Sequence, residues 1–142
     1  MIQIFKIEGI YIDWSCEVEM YMDFTLDDLH CTILNAVGFD NDHLYEFFIA
    51  RSETGYNAER IDYDNDKMYE LTLEELFPLP KGKKLFFLFD YGDHWLFQIS
   101  KSRKKPYNAI NGVQYPRVIK STGEKPLQYP DSDEEFDEDE DN

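Results

Sequence analysis

The sequence predicts one α+β domain, a mainly antiparallel sheet with helices packed on one face, in the approximate order ββαβαββ. Three observations lead to this prediction: apolar alternation over residues 1–22, a capped amphipathic helix that starts near Thr25, and two aromatic runs on either side of residues 90–94. Strands interspersed with a few helices are typical of this class. At 142 residues the chain is long enough to bury its own core, and we expect the domain to cover residues 1–130.

The first two strands are predicted from alternation alone. Apolar residues recur through 1–12, and in 14–22 Cys16 and Val18 share one parity while Glu17 takes the other. This is the pattern of a half-buried strand, and the polar residue between the two runs indicates a turn that makes them antiparallel neighbours.

The first helix is predicted from its two ends and its apolar stripe. Thr25 and Asp28 form a capping-box pattern, and Gly38 supplies a left-handed stop. The stripe that should face the core repeats at spacings of three and four: Leu26, Leu29, Ile33 and Val37.

The middle of the chain alternates a strand, a loop and a short helix. Residues 43–50 predict a strand, and 52–68 is expected to be a loop rich in Gly, Asn and Asp. Thr72 and Glu75 repeat the capping box, and Pro78 must end the helix that follows. Beyond residue 105, four prolines predict extended, irregular chain laid over the core.

The aromatic runs predict a hairpin whose strands are buried on both faces. Phe87 belongs to the alternating apolar residues of the first strand and Phe97 to those of the second. Phe86, Leu88 and Leu96 point to the opposite face of the predicted sheet. We expect Gly92 to provide the positive φ of the turn, with Asp90 and Asp93 bonded to turn amides. Residue 84 would then lie almost opposite residue 100.

Negative charge is concentrated at the end of the sequence. The net charge is −16, and residues 131–142 carry nine acidic groups, which leaves 21 acidic and 14 basic residues in 1–130, a net of −7. We expect 131–142 to be a disordered acidic tail, because it has little apolar surface to offset its ordering entropy. The tail could serve solubility, attract a basic partner, or cover a basic patch of the same protein.

Several classes of protein are excluded by simple patterns. No signal peptide or membrane-length apolar run is visible, and two cysteines without CxxC spacing predict neither a disulfide framework nor a zinc site. The nucleotide, hydrolase and metalloprotease motifs are missing as well. We therefore expect a reduced, cytoplasmic, monomeric protein without a cofactor or membrane partner, and no enzymatic activity.

One metal-dependent alternative stays open. Asp90, Asp93 and His94 lie on one loop and could offer two oxygens and one nitrogen to a divalent cation. His43, with Asp40 or Asp42, could add ligands from an earlier turn. A metal-dependent hydrolase built on Asp90, Asp93 and His94 is thus one hypothesis, although the spacing does not force these residues to converge.

Basic residues collect at the other end of the hairpin. Half of the 14 basic residues lie at the points where the chain enters and leaves it: Lys81, Lys83, Lys84, Lys101, Arg103, Lys104 and Lys105. Like charges held together repel one another, so this end predicts either a solvated strand end or a site for an anionic partner.

Four segments resemble the plasmid pRiA-type ORF-three-like family, which is found on Ri plasmids and widely in bacteria and archaea. They are TLDDLHCTILNAVGF at 25–39, DNDHLYEF at 40–47, FDYGDHWLFQI at 89–99 and YPRVIKSTGEKPLQYPD at 115–131. The family motif residues in this sequence are His43, Asp90, Gly92, Asp93 and Trp95. The resemblance implies one α+β domain of unestablished activity, with members linked to mobile elements.

Two non-enzymatic functions follow from these features. The first is a binding or accessory domain that holds an anionic partner at the basic end of the 83–105 hairpin, through Lys83, Lys84, Lys101, Arg103, Lys104 and Lys105. The second is an acidic, nucleic-acid-mimicking interaction protein whose tail occupies a basic protein. In either case the partner is an unidentified protein or nucleic acid.

Overall fold

The computed structural model describes residues 1–129, so the predicted acidic tail at 131–142 lies outside the described residues and the boundary at 130 stays a prediction. Within the described range the elements are β1 Ile2–Gly9, β2 Trp14–Tyr21, α1 Leu26–Val37, β3 Tyr45–Ala50, β4 Glu59–Asp62, α2 Lys67–Glu70, α3 Leu73–Leu76, β5 Lys84–Phe89, β6 Trp95–Lys101 and β7 Arg117–Gly123.

The strands form one seven-stranded sheet in the order β4-β3-β5-β6-β1-β2-β7. Every neighbouring pair is antiparallel. The fold is therefore mostly sheet with few helices, and none of the helices in residues 1–129 combines the length and apolar character needed to cross a bilayer.

The predicted N-terminal strand pair is confirmed, with the register that alternation implies. Phe5 lies opposite Val18, and Ile7 lies opposite Cys16. All four side chains are buried in the main hydrophobic core, because residues two apart on a strand point to the same face.

Helix α1 begins and ends as its sequence predicts. The Oγ1 of Thr25 accepts a hydrogen bond from the Asp28 amide at 3.2 Å, and Asp28 Oδ2 accepts one from the Thr25 amide at 2.9 Å. Gly38 adopts a left-handed φ of 84° and donates its amide to the Leu34 carbonyl at 2.9 Å. The apolar stripe shares the main core with the sheet residues Phe47 and Phe87.

The central hairpin also has its predicted register. Phe87 lies opposite Phe97, and Leu85 lies opposite Ile99, which places residue 84 near residue 100. A second buried cluster occupies the other face of the sheet: Phe48, Ala50, Phe86, Leu88 and Leu96. The hairpin is therefore covered on both faces, as expected.

Three elements are missing from the predicted order. The segment 52–68 contains β4 and the first turn of α2, and residues 117–123 form β7 on the edge of the sheet beside β2. The prediction of irregular chain beyond residue 105 was wrong for β7. All seven of its residues are exposed, so no half-buried alternation could reveal it, and Pro116 lies just before the strand, where it removes no bond of the ladder.

Candidate functional site

The hairpin turn is held by Asp90. Its Oδ1 accepts hydrogen bonds from the amides of Gly92 at 3.1 Å and Asp93 at 3.3 Å, and the His94 amide donates to the Asp90 carbonyl at 2.6 Å. Side-chain bonds of this kind allow aspartate to close a turn. The turn bonding predicted for Asp90 is confirmed, whereas Asp93 takes part through its backbone amide.

The positive φ of this turn is not at Gly92. Asp90 has φ of 65° and His94 has φ of 58°, whereas Gly92 is not among the residues with positive φ. The prediction for Gly92 was wrong because aspartate enters the left-handed region at modest cost when its side chain bonds nearby amides.

His43 and Asp90 are brought together, although they are 47 positions apart in the sequence. The Nε2 of His43 lies 3.3 Å from Asp90 Oδ2 and 2.7 Å from the Tyr129 hydroxyl, and the ring meets Phe89 edge-on at 5.8 Å. Asp93 and His94 are exposed. Of the metal candidates, then, the structure joins Asp90 to His43, and Asp42 Oδ1 also lies 3.5 Å from His43 Nε2.

The segment at 128–129 is fastened to the loop before β3. Gln128 accepts from the Asp40 amide at 2.7 Å and donates to the Asp40 carbonyl at 3.2 Å. The Tyr129 hydroxyl donates to Asp42 Oδ2 at 2.7 Å. This bond raises the pKa of Tyr129 to about 12 and lowers the pKa of the Asp42 carboxyl. Both groups therefore keep their bonded protonation states at neutral pH.

A different group of described residues has ligand atoms close together. Single ligand atoms of Asp27, His30 and Cys31 all lie within 4.8 Å of one another, and they form the one such group of three within residues 1–129. His30 is buried, stacks on Tyr45 at 3.7 Å, and pairs through Nε2 with Asn41 Oδ1 at 3.1 Å. Burial lowers the pKa of His30, which favours the neutral ring. We interpret His30 as a hydrogen-bonded core residue.

The basic end of the hairpin borders a groove of about 360 Å³. Residues 77–84 form one side and residues 98–101 the other. Pro78, Leu79 and Pro80 supply accessible apolar surface, and Lys81, Lys84 and Lys101 stand exposed at the rim. Four of the seven predicted basic residues therefore line a cavity with an apolar wall, with Lys83 as the fourth, whereas Arg103, Lys104 and Lys105 are not among its lining residues.

None of the seven basic residues forms an ion pair within residues 1–129. The ion pairs of this range belong to His30, His43, Arg60 and Arg117. No carboxylate within residues 1–129 therefore lies at ion-pairing distance from these positive groups.

Arg51 adds a fifth positive charge at the groove, which the sequence did not predict. A β-carbon on Gly82 would lie only 2.8 Å from Arg51 Nη1, so the guanidinium rests against this glycine. Arg51 arrives there because Ala50 at the end of β3 pairs with Lys84. The sequence contains no local signal for this approach, since it depends on which strands are neighbours.

A buried glutamine fixes the basic segment that leaves β6. The Nε2 of Gln3 donates to the carbonyls of Ser102 at 3.3 Å and Lys104 at 3.2 Å. The Ser102 amide also bonds the Ile4 carbonyl at 2.9 Å. These bonds hold the backbone at 102–104 against β1, directly after the end of β6, and Arg103 borders a second pocket with Lys6 and Glu17.

Both the sequence and the fold match known proteins. A family described as "Plasmid pRiA4b ORF-3-like protein" matches residues 11–132. The crystal structure of a protein of unknown function, MM3350 from Methanosarcina mazei Go1, has a TM-score of 0.69 and 22% sequence identity, over 84% of this chain and 68% of that chain. This likeness shows a shared fold. The chain has no match among curated proteins.

Proposed function

The chain belongs to the plasmid pRiA4b ORF-3-like protein family, and we propose that it acts as a binding domain that holds an anionic partner in the groove at the basic end of the β5–β6 hairpin. One observation carries the proposal. Five basic residues lie at an apolar-walled groove and form no ion pair within residues 1–129: Arg51, Lys81, Lys83, Lys84 and Lys101.

The charge distribution supports a bound anion. Residues 1–130 carry a net charge of −7, so the five positive groups at the groove are a local exception in an acidic protein. Like charges held close together raise the energy of the folded state, and a bound anion would relieve that repulsion.

The lining of the groove favours an acidic protein segment over nucleic acid. Its accessible wall is formed by Pro78, Leu79 and Pro80, which suit an apolar side chain flanked by carboxylates. Phe77, the aromatic residue of the lining, is buried and so gives no exposed platform for a stacked base. The overall charge of −16 also repels a phosphate backbone.

A binding measurement with matched charge changes tests the proposal. The probe is a fluorescein-labelled glutamate-rich peptide with one central phenylalanine, and a labelled single-stranded oligothymidine serves for comparison. The double variant Lys84→Glu/Lys101→Glu should weaken peptide binding by roughly tenfold or more, since each lost charge-assisted contact costs about 1 kcal/mol.

The control makes the same charge change away from the groove. Lys67→Glu/Lys125→Glu should leave peptide affinity within about twofold of the unaltered chain. Equal weakening by both double variants would show a nonspecific charge effect and refute the site. Tighter binding of the oligothymidine than of the peptide would make nucleic acid the partner.

The other functions predicted from the sequence have less support. In the hydrolase hypothesis Asp90 is a ligand, but its Oδ1 accepts from two turn amides and its Oδ2 faces His43. The nucleic-acid-mimicking role depends on residues 131–142, which lie outside the described range. The link to mobile elements stays an implication of the family resemblance.

A further inference from the structure

The last described residues lie at the opposite end of the hairpin from the groove. Gln128 and Tyr129 are bonded to Asp40, Asp42 and His43, and the His43 ring contacts Phe89 at the end of β5. The groove lies at Lys84, where β5 begins. Residues 130–142 therefore continue from a point about one strand length away from the groove.

The chain beyond Tyr129 is long enough to span this distance. The six residues of β5 cover about 17–20 Å at ~3.3 Å per residue. Seven residues separate Tyr129 from Phe136 and reach about 25 Å when extended. Phe136 can therefore come to the level of the groove, and six more residues follow it.

The composition of residues 131–142 complements the groove. This segment, DSDEEFDEDEDN, has nine acidic residues and no basic one, and its single apolar residue is Phe136. The groove presents five basic residues beside an apolar wall: Arg51, Lys81, Lys83, Lys84 and Lys101. The charges are opposite in sign, and the apolar groups match as well.

We propose that residues 131–142 are an intramolecular ligand of the groove, with Phe136 against Pro78, Leu79 and Pro80 and with the flanking carboxylates against the lysine rim. This inference rests on the proposed function, because it assigns the resident occupant of the same site. An external acidic segment must then displace the tail before it binds.

Tethering determines how strong this competition is. A linked ligand acts at an effective concentration near the millimolar range. For a groove that binds an acidic peptide with a dissociation constant of about 0.1 mM, the tail lowers the apparent affinity for an external peptide by about tenfold.

The experiment uses the full chain with five tail charges removed. This variant, called the tail variant, combines five substitutions: Asp133→Asn, Glu134→Gln, Glu135→Gln, Asp137→Asn and Glu138→Gln. The matched control removes five exposed charges elsewhere: Glu53→Gln, Glu59→Gln, Glu70→Gln, Glu74→Gln and Glu124→Gln. Both are compared with the unaltered chain by peptide affinity and by backbone amide NMR shifts.

We expect the tail variant to bind the labelled peptide about tenfold more tightly than the unaltered chain. We also expect its amide shifts to change at 81–84 and 98–101. The control should show neither effect, and Phe136→Ser should give a smaller gain in affinity with the same shifted amides.

The remaining outcomes separate the two proposals. Unchanged amides together with unchanged peptide affinity would overturn the tail contact and leave the proposed binding function standing. Absence of peptide binding in every variant would refute the proposed function, while the amide shifts still decide whether the tail contacts the groove. A gain in peptide affinity that depends on protein concentration would show that the tail contacts the groove of a second copy, and this would overturn the intramolecular ligand.

Discussion

The imidazole of His43 lies 3.3 Å from the carboxylate of Asp90, although the two residues are 47 positions apart in the sequence. This contact joins the loop before β3 to the turn between β5 and β6, and Tyr129 adds the last described segment through its 2.7 Å contact with His43. Three remote parts of the chain therefore meet at one end of the hairpin. The groove lies at the other end, so the anchor and the proposed binding site are separate features.

The first prediction concerns the role of Asp90. Asp90→Ala removes the acceptor for two turn amides and leaves alanine at φ of 65°, so we expect it to lower the free energy of unfolding by about 1–3 kcal/mol. Asp90→Asn keeps an acceptor oxygen and tolerates this φ, and should cost less than half as much. Urea denaturation of both variants checks this, and equal losses would contradict the turn role.

The second prediction contrasts two glycines. Gly92 lacks a positive φ and an added β-carbon would lie 3.5 Å from Asp90 Oδ1, an ordinary contact. Gly92→Ala should therefore change the free energy of unfolding by no more than about 0.5 kcal/mol. Gly38→Ala meets no neighbour within 4 Å but must adopt φ of 84°, and should cost about 1–2 kcal/mol. Thermal melts that rank the two variants in reverse would refute this account of the turn.

The third prediction concerns pH and Glu19. This buried carboxylate on β2 accepts a hydrogen bond from Arg117 Nε at 2.6 Å and another from the Tyr107 hydroxyl. Burial acts to raise the pKa of Glu19, but the bonds from Arg117 and Tyr107 outweigh it, so the pKa falls below its ordinary value of 4.5.

A lowered folded-state pKa means that Glu19 contributes stability above its unfolded pKa of about 4.5. That contribution is lost as the pH falls through the folded-state value. Glu19→Gln should therefore be less stable than the unaltered chain at pH 7, with the difference shrinking below pH 4. Urea denaturation from pH 7 to pH 3 measures this, with Glu59→Gln, at an exposed position of β4, as the control. A constant difference across that range would contradict the prediction.

The fourth prediction concerns metal removal. Because Asp90 Oδ1 is occupied by turn amides and Oδ2 faces His43, we expect EDTA to leave the melting temperature unchanged within about 1 °C, since no stabilising ligand is withdrawn from the folded state. The melting temperature is measured with EDTA and, separately, with added Mn²⁺ or Zn²⁺. A fall in melting temperature with EDTA that is absent in Asp90→Asn would restore the metal-site hypothesis.

Local signals account for the parts of the fold that the sequence predicts. Thr25 and Asp28 are three residues apart and form their capping bonds within one helical turn, so no distant residue is needed. The register of Phe87 opposite Phe97 follows from alternation on both sides of a short turn. The basic end of the hairpin follows from that register, because Lys84 and Lys101 flank the same strand ends.

The candidate site is only partly local. The sequence identified the basic residues, but Arg51 reaches Gly82 only because β3 pairs with β5. The apolar wall comes from the segment that follows α3. Gln3, on a strand about 100 positions earlier, holds the segment at 102–104. None of these approaches has a pattern within a short window.

The helix caps, the β1–β2 and β5–β6 hairpins and the uneven charge follow from the sequence, because each depends on residues a few positions apart. The tertiary structure alone shows that exposed β7 forms the edge of the sheet beside β2, that His43 meets Asp90, and that five basic residues lie at one groove. These contacts join residues tens of positions apart, and they form only after the sheet has brought its strands together.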